Sequence, residues 1–187
     1  MFSKKEDGMK TKKSLPLAKV YQLIEPGPVV MVTTAYKSKP NIMTMSWLTM
    51  VEFEPPLIAC IMSEDNYSFA ALKKTKECVI NIPTVELIQE VVGIGNTTGS
   101  KIDKFKKFEL SAEPASHVEI PMIQECYANL ECKVVDTKMV SKYNLFILEV
   151  VKAWVSTTKK QVKMIHHAGN GVFIVDGKII RTHSHKK

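Results

Sequence analysis

The segment formed by residues 41–47, N-I-M-T-M-S-W, concentrates polar side chains that could hold a ligand. Side chains alternate between the two faces of a strand, so Thr44 and Ser46 lie on the same side if this segment is extended. Polar groups on a buried face need hydrogen-bond partners, and a ligand could supply them. Taken alone, however, the residues favour an ordinary solvent-facing row. Trp47 then faces the core, or reaches a ligand across a bulge.

A second group of residues is suited to an anion. A helix that starts near Asn66 presents free backbone N–H groups and a partial positive charge at its N-terminus. Lys101 and Lys104 could add full charges. Each residue also has a simpler role, because Asn66 can act as a plain helix cap and the lysines can form a solvated face. The candidate anion-binding residues are Ser63, Asn66, Ser68, Ser100, Lys101 and Lys104.

A third group lies near the C-terminus, where Phe173 follows the glycine-containing loop 167–171. Glycines allow the backbone to approach a ligand closely, and Phe173 could provide a flat wall. His166 and His167 are adjacent, so they point apart on a strand, and no third metal ligand is near them in the sequence. We therefore predict no metal site. No Ser-His-Asp order or Walker loop is found, so we assign no catalytic side chain. G-I-G-N-T-T-G at 93–99 follows a predicted helix, which is the wrong context for a dinucleotide fingerprint.

The pattern of apolar residues predicts mainly strands. Residues 127–135 alternate, with Asn129, Glu131 and Lys133 on the face opposite Leu130 and Cys132, as in a half-buried strand. Asp176-Gly177 predicts a hairpin turn. The predicted strands are 28–35, 41–52, 57–63, 78–82, 127–135 and 145–155, and the predicted hairpin lies within 171–180.

Short helices are predicted between some of these strands. Asn66 can cap a helix over 67–74, and Thr84 can cap a second helix through Val92 that is broken by glycines 93, 95 and 99. Meandering strands with inserted helices indicate an α+β fold, mainly antiparallel β and barrel-like, rather than a parallel sheet.

Composition narrows the class of protein. The 187 residues carry a formal charge of +7, much of it in the basic segments 1–13 and 181–187. We predict that segment 1–13 is disordered, that 181–187 is a basic tail, and that 14–180 forms one domain. No apolar run is long enough to span a bilayer, and no apolar segment follows the N-terminal lysines as in a secretory signal, so a cytoplasmic location is expected. Nucleic-acid binding is not expected, because basic residues are not interleaved with aromatic ones. The four cysteines form no metal-binding or disulfide pattern.

The order of several motifs resembles the flavin reductase-like, FMN-binding split-barrel family. They are the polar strand, Pro-Pro turn and buried strand of 41–63, the strand C-V-I-N-I-P at 78–83, and G-S-K-I-D-K-F at 99–105. Within that family, Trp47 and H-x-G-x-G-x-F near the C-terminus are most similar to flavoredoxins. Asn144 falls where some relatives carry a polar residue or a histidine near the flavin.

The resemblance implies a split barrel and a homodimer with one FMN per subunit near the interface. It also implies either flavin reduction by NAD(P)H or electron transfer with a redox protein partner; a flavin carrier without reductase activity is the alternative. Asn41, Thr44, Ser46 and Trp47 would contact the ring edge, the anion-binding candidates would hold the phosphate, and Phe173 would form the wall.

Overall fold

The computed structural model describes residues 27–157 and 162–180. The predicted basic tails, 1–13 and 181–187, lie outside these residues, as does the start of the predicted domain. Within the described part of the chain, no helix is long and apolar enough to cross a membrane.

Antiparallel strands make up most of the described chain. They are β1 (Val30–Tyr36), β2 (Lys39–Met45), β3 (Leu48–Glu52), β4 (Leu57–Ile61), β5 (Glu77–Ile82), β6 (Ala112–Glu113), β7 (Met122–Ile123), β8 (Ala128–Asp136), β9 (Leu145–Val155), β10 (Ile165–His167) and β11 (Phe173–Val175). The α-helices are α1 (Tyr67–Thr75), α2 (Ile88–Gly95), α3 (Lys104–Lys107) and α4 (Val140–Tyr143), and a 3₁₀ turn, Val85–Leu87, precedes α2.

Seven strands form one sheet in the order β2-β1-β5-β8-β9-β4-β3. All neighbours in this sheet are antiparallel. Strands β2 and β3 occupy opposite edges, yet only Ser46 and Trp47 separate them in the chain. So short a connection requires the two edges to lie close together, and the sheet therefore curls into a barrel that is open along one line. We call the line between β2 and β3 the seam. This is the predicted split barrel of mainly antiparallel strands with short helices.

Of the three apolar clusters among the described residues, the two larger position the site. The barrel interior is packed by side chains that include Val30, Ile80, Phe146 and Leu148, each 1% exposed or less. A second cluster lies between β1–β2 and the segment that carries α2 and α3, and it includes Met31, Ile42 and Val91. Helix α2 is thereby held against β2, close to the seam.

The predicted strand 41–52 is interrupted at the seam, and the single-strand prediction is therefore wrong. Leu48 N donates a hydrogen bond to Ser46 O at 3.1 Å, so the chain turns there and moves from one sheet edge to the other. Apolar and β-branched residues continue on both sides of the turn, and the composition of the segment does not mark it.

The predicted helices form, but their ends differ from the prediction. Asn66 and Thr84 occupy N-cap positions without a side-chain capping bond; the Thr84 hydroxyl bonds the Glu86 carboxylate instead. Helix α2 continues through Gly93 to Gly95, so Gly93 does not end it. A Cβ atom at Gly93 would collide with the ring of Phe108, so this glycine permits close packing.

The hairpin predicted at Asp176-Gly177 is wrong. The C-terminal hairpin pairs β10 with β11 and turns at residues 168–172, where Asn170 has a positive φ of 53°. Asp176 follows β11, and its carboxylate accepts hydrogen bonds from His166 Nε2 at 2.8 Å and Met164 N at 3.2 Å. These bonds lower the pKa of Asp176, with the His166 contact as the largest cause.

Candidate functional site

A cleft of about 520 Å³ opens at the seam. Five of the residues predicted from the sequence line it together: Thr44, Ser46, Trp47, Ser63 and Asn66. The other lining residues are Met43, Met45, Ile61, Lys142, Tyr143 and Asn144. We call this the polar cleft.

Sheet pairing explains why residues so far apart in the sequence meet here. Strand β4 pairs with β9 so that Ile61 lies opposite Leu145, which places the end of α4 beside the end of β4. Ile61 N donates to Trp47 O at 3.0 Å, and Met62 N donates to Asn144 O at 3.0 Å. The amide of Ile61, the last residue of β4, thus binds the seam, and the next amide, of Met62, binds Asn144.

A second cleft, of about 350 Å³, adjoins the first. The two share Thr44, Met45 and Ser46, and the second is walled by Phe173, as predicted from the sequence, together with His167. The rings of His167 and Phe173 are 5.2 Å apart. Its other lining residues are Val29, Val92, Gly95, Asn96 and Gly171. We call this the apolar cleft.

Thr44 stands where the two clefts meet, and its hydroxyl has a defined polarity. It donates a hydrogen bond of 2.6 Å to Val91 O of helix α2. Since the hydroxyl proton is used in that bond, Thr44 offers a ligand only its acceptor lone pairs. The site is therefore suited to an N–H donor of a ligand at this point.

The 63–66 turn presents polar groups to the polar cleft just before α1. Asn66 N donates to Ser63 O at 3.0 Å, and Asp65 N donates to Ser63 Oγ at 3.3 Å. The side chain of Asn66 makes no capping bond, and Asn66 lines the cleft at the N-terminus of α1. Helix N-termini favour anionic groups.

Asn41 and Ser68 lie behind the cleft, inside the fold. Asn41 Nδ2 and Thr34 Oγ1 both donate to Ser68 Oγ, at 2.8 and 3.1 Å. Asn41 Oδ1 is buried without a hydrogen-bond partner among the residues that the structure describes. Gly99 packs against this amide, where a Cβ atom would collide with Oδ1. The two side chains join β1, β2 and α1, and neither lines the polar or the apolar cleft.

Ser100, Lys101 and Lys104 also line neither of these clefts. Ser100 and Lys101 are exposed. Lys104 is 4% exposed, and its ammonium donates to Ile94 O at 2.9 Å, near the C-terminal end of α2. Burial lowers the pKa of Lys104 to about 8. The predicted pair of phosphate-binding lysines is thus divided between the surface and the interior.

Lys142 and Tyr143 are cleft residues that sequence reasoning missed. They end α4, directly before β9, and the signal that could have found them is the pairing of β9 with β4. Pairing partners cannot be read from composition, so the proximity of Lys142 and Tyr143 to 61–63 was not visible in the sequence; Asn144, which the family resemblance brought into question, also lines the cleft. Within residues 27–157 and 162–180, no cluster of three or more His, Cys, Asp or Glu could hold a metal ion.

Residues 24–172 match the family described as the flavin reductase-like domain. The chain belongs to this family. It is 34% identical over 113 residues to an uncharacterized protein of Archaeoglobus fulgidus, a match that spans 60% of this chain and 64% of the relative.

Among solved structures, the flavoredoxin of Desulfovibrio vulgaris (Miyazaki F) superimposes with a TM-score of 0.82 at 22% identity, covering 94% of this chain and 99% of that one. An FMN-binding domain of a flavin reductases-like enzyme from Shewanella baltica OS155 gives 0.78 at 23% identity, covering 90% and 96%. The split-barrel fold is thus shared with both.

Proposed function

We propose that the adjoining clefts at the seam bind FMN and that the protein works as a flavin-dependent redox protein. The observation that carries the proposal is the meeting of a polar and an apolar cleft at Thr44–Ser46, in a chain of the flavin reductase-like family. Volumes of about 520 and 350 Å³ lie in the range of small-molecule sites. Bound flavin would supply the electron and hydride chemistry.

The donor set of the clefts fits this cofactor. Thr44 accepts at the junction, which suits the N–H group of the flavin's pyrimidine edge. Phe173 offers a flat apolar wall, while Ser63 and Asn66 at the start of α1 suit the phosphate. The chain's own residues would bind and orient the ring, and they would exclude water from its apolar side.

The proposal also covers the electron donor and the electron acceptor of the flavin. We favour oxidation of NAD(P)H or of a reduced protein partner, followed by transfer to an acceptor. The second candidate is a flavin carrier without reductase activity of its own. The exposed polar cleft favours neither, because it admits a small molecule and a protein surface alike.

We also propose a homodimer. Met50 and Val51 are each 52% exposed although they are neighbours on β3, so both faces of this edge strand are uncovered, and Phe53 just beyond it is 82% exposed. Unpaired strand edges with apolar side chains are places where a second copy can pair. Sedimentation equilibrium should give twice the mass of one chain, and Phe53→Asp should weaken the association; a monomer at all concentrations would disprove the dimer.

The visible absorption spectrum of the purified protein, followed by acid release of the cofactor, tests the central proposal. We expect a flavin spectrum and release of FMN rather than FAD. An NAD(P)H titration under nitrogen then tests one of the two electron donors, because the flavin bleaches only if the protein accepts hydride from NAD(P)H directly; a carrier without reductase activity is not bleached by NAD(P)H or by a reduced redox protein. A protein that takes up neither FMN nor riboflavin when both are supplied would refute the proposal.

A further inference from the structure

Two aromatic side chains and one lysine stand at the mouth of the polar cleft. Trp47 is 54% exposed, Tyr143 is 49% exposed, and Lys142 is exposed beside them. All three line the cleft. We call them the aromatic rim. Large aromatic side chains that stay exposed at the mouth of a cavity mark a surface that a ligand can cover.

The backbone fixes the spacing of this rim. Ile61 N bonds Trp47 O on one side of β4, and Met62 N bonds Asn144 O on the other, both at 3.0 Å. Trp47 and Tyr143 are therefore carried by chain segments on opposite sides of the end of β4. Both side chains line the polar cleft, so a flat molecule at its mouth can reach either ring.

The electrostatics of the rim favour an anion. Lys142 Nζ lies 5.1 Å from the centroid of the Tyr143 ring, so its charge is held at the aromatic surface. No Asp or Glu is among the residues that line the polar cleft, although the Asp65 carboxylate accepts a hydrogen bond from the lining residue Ser63 at 3.4 Å. A carboxylate or phenolate at the rim would meet the Lys142 ammonium directly.

We infer that the aromatic rim binds a small planar aromatic anion, such as an aryl carboxylate or a phenolate, next to the flavin. Its ring stacks on Trp47 or Tyr143, and its charge pairs with Lys142. The inference rests on the proposed function in taking FMN as the other occupant of the paired clefts. It names the class of small molecule that meets the flavin there.

The test compares 4-nitrobenzoate with its neutral counterpart 4-nitrobenzamide by calorimetric titration of the flavin-loaded protein. We expect the anion to bind about fivefold more tightly at low ionic strength, which is the size of one partly exposed ion pair, and salt to reduce this preference. Lys142→Gln should abolish the preference and leave the amide affinity unchanged. Trp47→Leu should weaken both ligands about three- to tenfold.

Lys138→Gln is the matched control. Lys138 is four residues before Lys142, its side chain is 87% exposed, and it pairs with Asp136 at 3.6 Å outside the cleft lining. Its removal changes the net charge equally and should leave the preference for the anion intact. Equal affinities for the two ligands, or a preference that survives Lys142→Gln, would overturn the inference.

Flavin content, measured on the same samples, separates this inference from the proposed function. Full flavin occupancy with no binding of 4-nitrobenzoate disproves anion binding at the aromatic rim and leaves the proposed FMN site intact. Anion binding that depends on Lys142, in protein that takes up no flavin, supports the rim and refutes the proposed function. Loss of anion binding as the protein dimerises would mean that a second copy covers the rim, and would also overturn the inference.

Discussion

Two groups of polar side chains in this barrel differ in how far other protein groups complete their hydrogen bonds. Glu131 is fully buried, and its carboxylate accepts hydrogen bonds from Trp154 Nε1 at 2.8 Å, from Ser116 N and Oγ, and from His117 N. The protein itself supplies every one of these donors. At the seam, by contrast, the Ser63 hydroxyl bonds its neighbour Asp65, and both Ser63 and Asn66 line open volume. Polar residues thus serve the fold on β8 and leave room for a ligand after β4.

The segment 111–126 shows what the satisfied group does. Glu131 holds its residues 116–117, and Asn81 holds Ile123 by accepting from its N–H at 2.9 Å. Asn129 joins this second anchor through Asn81 Oδ1 at 2.8 Å and Ile123 O at 3.0 Å. These bonds fasten a long connection to β5 and β8. The polar side chains of β8 are therefore structural.

The largest effect should come from Glu131→Gln. Gln retains one acceptor oxygen but turns an NH₂ group toward the backbone N–H donors of Ser116 and His117. We expect the free energy of unfolding to fall by about 3 kcal/mol or more, as when one partner of a buried charged network is removed. Urea denaturation measures this change. The folded variant should keep its FMN affinity. A loss of FMN binding with unchanged stability would mean that Glu131 serves ligand binding and not the fold, which would contradict the prediction.

The same residue gives a pH signature. Burial raises the pKa of Glu131, but the bonds from Trp154, Ser116 and His117 outweigh burial and lower it overall. A carboxyl group with a lowered folded pKa adds stability above its unfolded pKa, and this stability is lost as the pH falls through the folded value. The stability difference between wild type and Glu131→Gln should therefore shrink on acidification. A difference that is constant with pH would contradict the ionised state.

Lys104 provides the next effect, in the alkaline range. Its folded pKa is lowered by burial from 10.5 to about 8, so the folded state binds fewer protons than the unfolded state between these values. Stability must then rise with pH across this interval, by up to about 3 kcal/mol. Lys104→Met should lack this rise, which paired urea titrations at several pH values measure. The control Lys106→Met, at an exposed neighbour, should keep it.

A smaller effect is expected at the junction of the clefts. Thr44→Val preserves shape but removes the acceptor that faces the proposed flavin, and FMN affinity should fall about tenfold. Loss of the bond to Val91 O should also cost about 1 kcal/mol of stability. Thr49→Val, on the exposed part of β3, is the matched control and should leave FMN binding unchanged. Flavin fluorescence quenching measures the FMN affinity of the two variants. Equal losses of FMN affinity in Thr44→Val and Thr49→Val would exclude a direct contact between Thr44 and the flavin.

The smallest effect should separate the phosphate from the ring. Asn66→Ala should weaken FMN about three- to tenfold and leave riboflavin, which lacks the phosphate, unchanged. Ser100→Ala, outside both clefts, serves as the control. If both ligands weaken equally, Asn66 contacts the ring or ribityl part; if neither weakens and Ser100→Ala does lower FMN affinity, the phosphate lies toward 100–104.

The same two groups of side chains differ in how much of their structure could be predicted from the sequence. Strand β9 was predicted with its observed limits because an apolar run with clear ends needs no knowledge of its neighbours. The polar face of β8 was visible as an alternation, but the burial of Asn129 and Glu131 depends on a connection that folds back over the sheet. The local pattern of apolar residues predicts a strand, but it does not predict which other segment of the chain buries that strand.

The residues of the candidate site also divide into those that local sequence could predict and those that only strand pairing brings together. Thr44, Ser46, Trp47, Ser63 and Asn66 lie in two short polar segments at strand ends. Their residue types alone favoured a solvent-facing row and a plain helix cap, and the resemblance to the flavin reductase-like family favoured a ligand site. Lys104 was expected to bind a ligand, but the short helix α3, capped by Asp103, turns its side chain inward to α2. Lys142 was missed because only the pairing of β4 with β9 brings it to the cleft.

The seam also sets the order in which the protein can acquire its site. Hairpins β1–β2 and β3–β4 each pair locally, but they join into one sheet only through β5, β8 and β9. Strand β9 ends at Val155, so a growing chain carries residues 41–66 for about ninety residues of synthesis before the sheet that joins the two hairpins is complete. Contacts of such long sequence separation form late in folding. Ligand uptake at the seam would therefore report on completed assembly of the barrel, and chains truncated before β9 would have both hairpins but no cleft.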